Sequence, residues 1–85
     1  MNITFTEQAW EDYLYWQKND NRIVKRIHLL IKDILRSPHE GIGKPEPLRH
    51  NLSGYWSRRI NEEHRIVYKQ FESGPTFVQM RYHYK

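Results

Sequence analysis

Four side chains in the second half of this 85-residue chain combine residue types that suit acid–base chemistry on a phosphate ester. Glu46 stands between two prolines, which restrict the backbone on both sides of its carboxylate. Arg59 and Arg65 flank a predicted turn, and guanidinium groups offer planar, permanently charged donors that match phosphate oxygens. His83 can hold or release a proton near neutral pH. If one sheet face carries the arginines and the histidine, with Glu46 over it, the sequence predicts general acid–base catalysis at a phosphodiester.

Metal-free cleavage of RNA is the reaction that this set fits. It requires a base beside a ribose 2′-hydroxyl, cations for the charge that builds on phosphorus and an acid for the departing 5′-oxygen. We assign Glu46 as the base and His83 as the acid, each role being worth about 10²–10⁴-fold in rate. The two arginines supply the cations. Whether these side chains share one face of the sheet depends on strand register. A single-residue bulge would move them to opposite faces.

Each of these residues also has an interpretation without catalysis. A single glutamate in a loop is usually a solvent-exposed side chain. Arg59 and Glu63 could form a cross-turn ion pair that contributes less than about 1 kcal/mol. His83 lies close to the end of the sequence, where a chain often frays. The residues alone therefore leave a catalytic site and a plain polar surface open as alternatives.

The charge of the chain is unevenly distributed and favours a polyanionic partner. Residues 1–20 carry one lysine and four acidic residues, whereas residues 21–85 carry thirteen Lys or Arg and six acidic residues. The net charge of +4 and the pI near 9.5 are typical of proteins that bind nucleic acid. Many small soluble proteins are equally basic without such a partner, so the charge alone leaves both interpretations open.

The composition excludes several other kinds of site. With no cysteine, the chain has no disulfide, thiolate nucleophile or cysteine-bound zinc, which suits a reducing cytoplasm. The histidines other than His83 show no metal-ligand spacing, so we expect no metal and no cofactor. A mean hydropathy of −0.94 and the lack of a long apolar run exclude a membrane span. Residues 1–6 lack the pattern of a secretory signal, and we therefore expect a cytoplasmic protein.

Two amphipathic helices are predicted in the first half. A short strand over Asn2–Phe5 precedes Thr6, which has the side chain of a helix N-cap. Apolar residues then follow a helical stripe over residues 9–17. A second, stronger stripe marks a helix over Ile23–Leu35, which ends at Ser37–Pro38 because proline disfavours helical backbone in the residue before it. Both helices therefore have an apolar face for a common core.

The second half predicts an antiparallel sheet behind a loop. His39–Pro47 contains two glycines and two prolines and is predicted as a loop. Aromatic and β-branched residues predict strands over Tyr55–Ile60, Arg65–Phe71 and Thr76–Tyr84. The order β-α-α-β-β-β predicts a single domain over residues 1–85, of the α/β (α+β) class. Both helices would pack on one face of a small antiparallel sheet and leave its other face open.

Long stretches of the sequence resemble a known family. Residues 40–60 read EGIGKPEPLRHNLSGYWSRRI, residues 62–68 read EEHRIVY and residues 81–84 read RYHY. Together with Trp10 and the motif DYLYWQ from residue 12, these stretches are similar to the YoeB toxins of the RelE-like toxin–antitoxin superfamily. The resemblance covers nearly the whole chain and is weakest over residues 71–79.

The resemblance implies the RelE-like fold and the activity of a ribosome-dependent mRNA endonuclease, or mRNA interferase, that acts in the decoding site. It implies that Glu46 is the general base and His83 the general acid. Arg65 would stabilise the phosphate, and Tyr84 would orient the RNA. The residues implied to bind RNA phosphates or to support the site are Lys44, Arg49, Arg59 and Glu63.

The resemblance also implies partners. A cognate antitoxin of the YefM type would carry a disordered acidic C-terminal segment that folds on the toxin, and the 70S ribosome would present the mRNA. Members of the family also form homodimers, for which Tyr15 and Leu29 are candidate exposed apolar contacts. Two alternatives remain, a non-catalytic module that binds RNA or the ribosome and a toxin of the same fold that inhibits DNA gyrase. The joint presence of the acid–base residues and the arginines favours the endonuclease.

Overall fold

The computed structural model describes residues 1–83, which form two helices packed on one face of a five-stranded sheet. Helix α1 spans Glu7–Asn19 and helix α2 spans Asn21–Arg36. The strands are β1 (Thr4–Phe5), β2 (Glu46–Pro47), β3 (Trp56–Arg59), β4 (Arg65–Phe71) and β5 (Gly74–Gln79), and a 3₁₀ turn covers His50–Leu52. The strand order is β1-β5-β4-β3-β2. The predicted α+β fold is therefore confirmed.

The sheet is mixed, because its first strand runs parallel to its neighbour. Thr4 and Phe5 of β1 pair in parallel with Thr76 and Phe77 of β5, whereas the other neighbouring strands are antiparallel. The parallel pair arises because β5, which follows both helices and three other strands in the chain, returns to lie beside β1. Strand β2 lies inside the predicted loop, where an extended two-residue stretch pairs with β3.

Short polar side chains set the ends of both helices. The Thr6 hydroxyl accepts a hydrogen bond from the Ala9 N–H (3.2 Å) and so caps α1. The Asp20 carboxylate accepts from the Arg22 N–H (3.0 Å) and caps α2, while the Asp20 N–H donates to the Trp16 carbonyl (2.8 Å) at the end of α1. One aspartate therefore ends the first helix and begins the second, which places the two helices side by side.

The core lies between the helices and the sheet. Ile27, Leu30 and Ile34 of α2 are fully buried against fully buried residues of β4 and β5, among them Tyr68 and Phe77. Removing this much apolar surface from water is the main favourable contribution to folding of a small domain. Neither helix is long and apolar enough to cross a membrane, as judged for residues 1–83.

The last strand is shorter than predicted. It ends at Gln79 rather than continuing to Tyr84, because both main-chain groups of Met80 are bound by side chains of α1 and not by a neighbouring strand. A register shift between Val67 and Tyr68 also places Phe77 opposite Tyr68 but Gln79 opposite Val67. Phe77 and Gln79 therefore lie on opposite faces, whereas the regular alternation of the predicted strand would place both on one face.

Candidate active site

Glu46 lies on strand β2, at the exposed edge of the sheet. It is paired with Ser57 of β3. Ser57 in turn lies opposite Val67 of β4, and Val67 lies opposite Gln79 of β5. Directly paired residues share a face, and Ile66, the neighbour of Val67, belongs to the core under the helices. The row from Glu46 to Gln79 is therefore on the face away from the helices, which we call the open face.

The loop that leads to β2 is fixed from inside the protein by Arg58, which is fully buried. Its Nη2 donates to the carbonyls of Ser37 (2.6 Å) and Glu40 (3.0 Å). Its Nη1 donates to the carbonyl of Ile42 (3.0 Å) and to the carboxylate of Asp33. A buried guanidinium needs this many acceptors, because an unpaired charge in the interior is strongly unfavourable. We call Asp33, Arg58 and the loop groups they bind the loop clamp.

Asp33 supplies the negative charge of the loop clamp. Hydrogen bonds from Arg36 and Arg58, with a further one from the Ile42 N–H (3.0 Å), lower the pKa of Asp33 to about 2. Gly41 passes so close to this carboxylate that a Cβ on it would collide with Asp33 Oδ2, and its φ is +127°. The loop therefore requires glycine at this position, both for space and for backbone conformation.

Tyr68 completes the loop clamp from strand β4. Its hydroxyl accepts a hydrogen bond from Arg58 Nε (3.2 Å) and donates one to the Pro38 carbonyl (2.7 Å). Burial raises the pKa of Tyr68 above its ordinary value. The hydroxyl therefore keeps the proton that it donates, and the loop is tied to the centre of the sheet.

Arg59 and Arg65 lie opposite each other on β3 and β4, so the faces of the two arginines coincide. Arg65 is only 7% exposed, and its Nη1 donates to three carbonyls of the β3–β4 turn, those of Asn61 (2.8 Å), Glu62 (3.2 Å) and His64 (3.1 Å). These bonds fix the guanidinium, and within residues 1–83 the three N–H groups on Nε and Nη2 stay available to another acceptor. Arg65 therefore both shapes the turn and holds a fixed positive charge on the open face.

The predicted phosphate-binding residues line two grooves. Lys44 and Arg59 line one groove at the turn end of the sheet, together with Arg26 of α2. Glu46 and Arg49 line a second groove along β2 and the 3₁₀ turn. Each groove therefore contains at least one permanently charged guanidinium, which suits a chain of phosphates.

Glu63 is placed differently from the cross-turn ion pair considered above. Its side chain is 77% exposed and lies 3.6 Å from Nε2 of His64. Within residues 1–83, no ion pair joins Glu63 to Arg59, so that alternative is wrong. The carboxylate of Glu63 stands instead at the solvent-exposed end of the β3–β4 turn.

His83 is exposed and lines a cleft of about 660 Å³ between α1 and the chain that follows β5. Leu52 of the 3₁₀ turn lines this cleft and also the groove that contains Glu46. The two side chains assigned as acid and base are thus on the same side of the molecule, in adjoining depressions. Tyr84, the residue expected to orient the RNA, lies outside the described residues.

The chain after β5 is held by residues that the sequence did not single out. The Met80 N–H donates to Asp12 Oδ2 (3.0 Å), and the Met80 carbonyl accepts from Trp16 Nε1 (2.8 Å). Further along, the Tyr82 N–H donates to Nδ1 of His64 (2.7 Å). We call these contacts the tail clamp. They hold the chain after β5 against α1 and the β3–β4 turn instead of along the sheet.

One member of the tail clamp had a signal in the sequence. Asp12 follows Ala9 by three residues and precedes Trp16 by four, so it falls on the buried stripe of α1. A carboxylate there is only 5% exposed and needs a partner. His64 had no comparable signal, because its acceptor role depends on a main-chain group eighteen residues away.

No group of three or more His, Asp or Glu side chains is placed to hold a metal ion in the described part of the chain. Glu46, Arg59 and Arg65 lie on the open face, and His83 lines the adjoining cleft.

Comparison with known proteins identifies the family. The model of the family described as YoeB-like toxin of bacterial type II toxin-antitoxin system matches residues 5–84. Toxin YoeB of Escherichia coli K12 is 58% identical over 84 residues, which covers 99% of this chain and all of that protein. A YoeB dimer from Staphylococcus aureus is similar in structure, with a TM-score of 0.93 at 53% identity over 99% of this chain and 98% of the other.

A YoeB–YefM complex from Staphylococcus aureus contains a similar chain, with a TM-score of 0.91 at 52% identity and the same coverage of 99% and 98%. In both the sequence and the structure comparisons, identity above one half extends over 99% of the chain. The chain therefore belongs to the family of YoeB-like toxins of bacterial type II toxin–antitoxin systems.

Proposed function

We propose that this toxin is a ribosome-dependent mRNA endonuclease, an mRNA interferase that inhibits translation. The observation that carries the proposal is the register of the open face. A proline-framed carboxylate and two facing arginines share that face, and Gln79, in the same row as the carboxylate, binds the main chain of His83. The carboxylate, the arginines and the histidine each have the chemical character that cleavage of RNA through its own 2′-hydroxyl requires.

In the proposed reaction Glu46 removes the proton from the ribose 2′-hydroxyl. The 2′-oxygen attacks phosphorus while the bond from phosphorus to the 5′-oxygen breaks. His83 gives its proton to the departing 5′-oxygen. The products are a 2′,3′-cyclic phosphate and a free 5′-hydroxyl, and water and oxidants are not consumed. Glu46 ends protonated and His83 neutral, so a proton exchange with solvent restores both.

Arg65 suits the stabilisation of charge in this reaction because it is fixed before the substrate arrives. Its Nη1 is held by three carbonyls, so the guanidinium loses little further freedom when a phosphate binds. Donors that are organised in advance stabilise a transition state more than donors that must reorient. Arg59, on the facing strand, would add a second positive charge to the same phosphate.

The remaining predicted residues have supporting roles in the proposal. Lys44 and Arg49 would bind phosphates on either side of the cleaved bond, since each lines a groove beside the open face. Glu63 would act at the rim of the site. Tyr84 would orient the RNA base or ribose, a role that rests on the family resemblance.

We further propose that the ribosome completes the site. Glu46 and His83 are both exposed, and acid–base catalysis gains when a partner excludes water around the reacting groups. A ribosome that encloses the mRNA on the open face would do this, which also places the protein in the cytoplasm.

A cognate antitoxin of the YefM type is the proposed inhibitor. The Staphylococcus aureus complex supports this partner, and the net positive charge of residues 21–85 is suited to its acidic segment. The Staphylococcus aureus dimer supports a homodimer. Of the two predicted contact residues, Leu29 is the better candidate because it is 55% exposed, whereas the Tyr15 ring packs on the Arg81 guanidinium (3.5 Å).

The test is to add purified toxin to translating ribosomes and to map the mRNA ends. We expect 5′-hydroxyl ends and 2′,3′-cyclic phosphates, and a loss of at least about 10²-fold in rate for Glu46→Gln and for His83→Gln. Glu72→Gln, an exposed change in the β4–β5 turn, is the matched control and should cleave as wild type.

Other outcomes would support a different function. Steeply salt-dependent binding to ribosomes without new mRNA ends would indicate a non-catalytic RNA-binding module. Inhibition of DNA gyrase with intact mRNA would indicate the gyrase toxin. Plain 3′-hydroxyl ends would refute the proposed chemistry.

A further inference from the structure

A single side-chain amide lies at the centre of the segment that follows strand β5. Nε2 of Gln79 donates to the carbonyls of Arg81 (2.6 Å), Tyr82 (3.4 Å) and His83 (3.0 Å). A primary amide has only two N–H groups, so the three acceptors share them. The main chain is therefore wound around this one nitrogen, with successive carbonyls turned inward.

The winding requires an unusual backbone conformation. Tyr82 has a φ of +63°, in the left-handed region that non-glycine residues rarely adopt. Such a conformation is unfavourable alone and persists where surrounding contacts determine it. The Gln79 amide supplies such contacts on the inner side of the turn. Hydrogen bonds of the Tyr82 N–H with His64 and of its carbonyl with the Arg65 N–H (3.0 Å) supply them on the outer side.

The tail clamp and the Gln79 amide bind different residues of the segment after β5. The tail clamp holds Met80 and Tyr82. Among the hydrogen bonds within residues 1–83, the one from Gln79 is the bond that reaches the main chain of His83. Gln79 is also paired with Val67, in the same row of the sheet as Glu46. One side chain therefore links the row of the assigned base to the residue of the assigned acid.

We propose that Gln79 is a positioning residue for His83, an inference that rests on the function proposed above. By binding three successive carbonyls, the Gln79 amide fixes the direction in which the chain leaves Tyr82. That direction decides whether the His83 imidazole faces the cleft beside Glu46. Gln79 does not touch the reacting atoms, and its contribution is to the rate of the bound complex rather than to binding.

The experiment compares cleavage by wild type, Gln79→Met and Gln79→Lys on translating ribosomes. Methionine has a similar length but no N–H donor, whereas lysine keeps donors at the end of a chain of similar reach. We expect Gln79→Met to lower kcat by roughly 10- to 100-fold, the cost of a small misplacement of a catalytic group. KM for ribosomes should stay unchanged, and Gln79→Lys should recover most of the lost rate.

Gln70→Met is the matched control, because Gln70 lies on the neighbouring strand and its amide donates to the Phe71 carbonyl (3.1 Å), away from the tail. It should cleave as wild type. Backbone ¹⁵N relaxation of His83 gives a second readout that needs no cleavage. The order parameter should fall in Gln79→Met and recover in Gln79→Lys, with thermal midpoints showing that all variants are folded.

The outcomes separate this inference from the proposed function. If His83→Gln cleaves as wild type, the proposed acid is wrong whatever Gln79 does. If His83→Gln is inactive but Gln79→Met keeps its kcat and the order of His83, the positioning role is overturned. A loss confined to KM would also overturn it, because that would place Gln79 in substrate binding.

Discussion

The loop clamp and the tail clamp both position one half of the candidate site, but they are built from different chemistry. Arg58, with Asp33, fixes the loop before Glu46 through a fully buried cation that binds four acceptors of the loop and its neighbour α2. The tail clamp holds the chain before His83 through single hydrogen bonds to main-chain groups. A buried charge tolerates little change in its surroundings, whereas single bonds can be broken one at a time. We infer that the base is held rigidly and that the acid is held by a more adjustable segment.

The largest expected effect comes from removing the buried cation of the loop clamp. Arg58→Met removes the donor of three loop carbonyls and leaves the Asp33 carboxylate without its buried cation. Breaking a buried ion pair on one side typically costs about 3–5 kcal/mol, and urea unfolding should show a loss of that size.

The next residue along the chain provides the matched control. Arg59 faces the opposite side of the sheet and is partly exposed, so Arg59→Met should cost less than about 1 kcal/mol in stability while lowering mRNA cleavage. Equal losses of stability in the two variants would contradict the comparison.

A smaller effect is expected when one bond of the tail clamp is removed. Asp12→Ala leaves the buried Met80 N–H without its acceptor, which should lower the free energy of unfolding by about 1–3 kcal/mol. The cleavage rate should also fall, because the chain that leads to His83 is released. Asp12→Asn keeps an oxygen acceptor and should recover most of both losses. A stable Asp12→Ala variant with full activity would mean that this contact does not position the tail.

The last prediction concerns the protonation of Asp33 in the loop clamp, which changes the free energy of unfolding in acid and not at neutral pH. The pKa of Asp33 is lowered from 3.8 to about 2 in the folded protein, so the folded state binds fewer protons than the unfolded state in this range. The resulting stabilisation is fully present above the unfolded pKa and is lost as the pH falls through the folded pKa. Unfolding measured between pH 5 and about 2 should show the decline. Asp33→Asn should lack this part of the slope, and an unchanged slope would argue against the assignment.

The long elements and the presence of β1 were predictable from local pattern, whereas β2 and the pairing of the short strands were not. Helix α2 and strand β4 carry strong apolar periodicity, and β4 was predicted with the bounds observed. Strands β1 and β2 have two residues each. That is too short for side-chain alternation to predict which strand each one pairs with, or whether the pairing is parallel or antiparallel. The strand predicted to reach Tyr84 ends early because Asp12 and Trp16 bind Met80, a contact between distant parts of the chain.

The site was predictable in its residue types and only partly in its geometry. Alternation left open whether the faces of Arg59 and Arg65 coincide, and the strand register shows that they do. The irregularity at Val67 and Tyr68 separated Phe77 from Gln79, which local pattern does not reveal. Arg58 was not singled out from the sequence. Alternation along β3 puts this residue on the core side of the sheet, where a buried cation needs an acidic partner. Asp33 of α2 is that partner.

Both outer strands of the sheet are only two residues long. An unpaired strand edge is normally a template on which further chains add and aggregates grow. At the β2 edge Pro47 has no N–H to offer, and Pro45 precedes the strand. The same two prolines that frame Glu46 thus discourage strand addition at this border. The candidate base can remain accessible to RNA without turning its edge into a site of self-assembly.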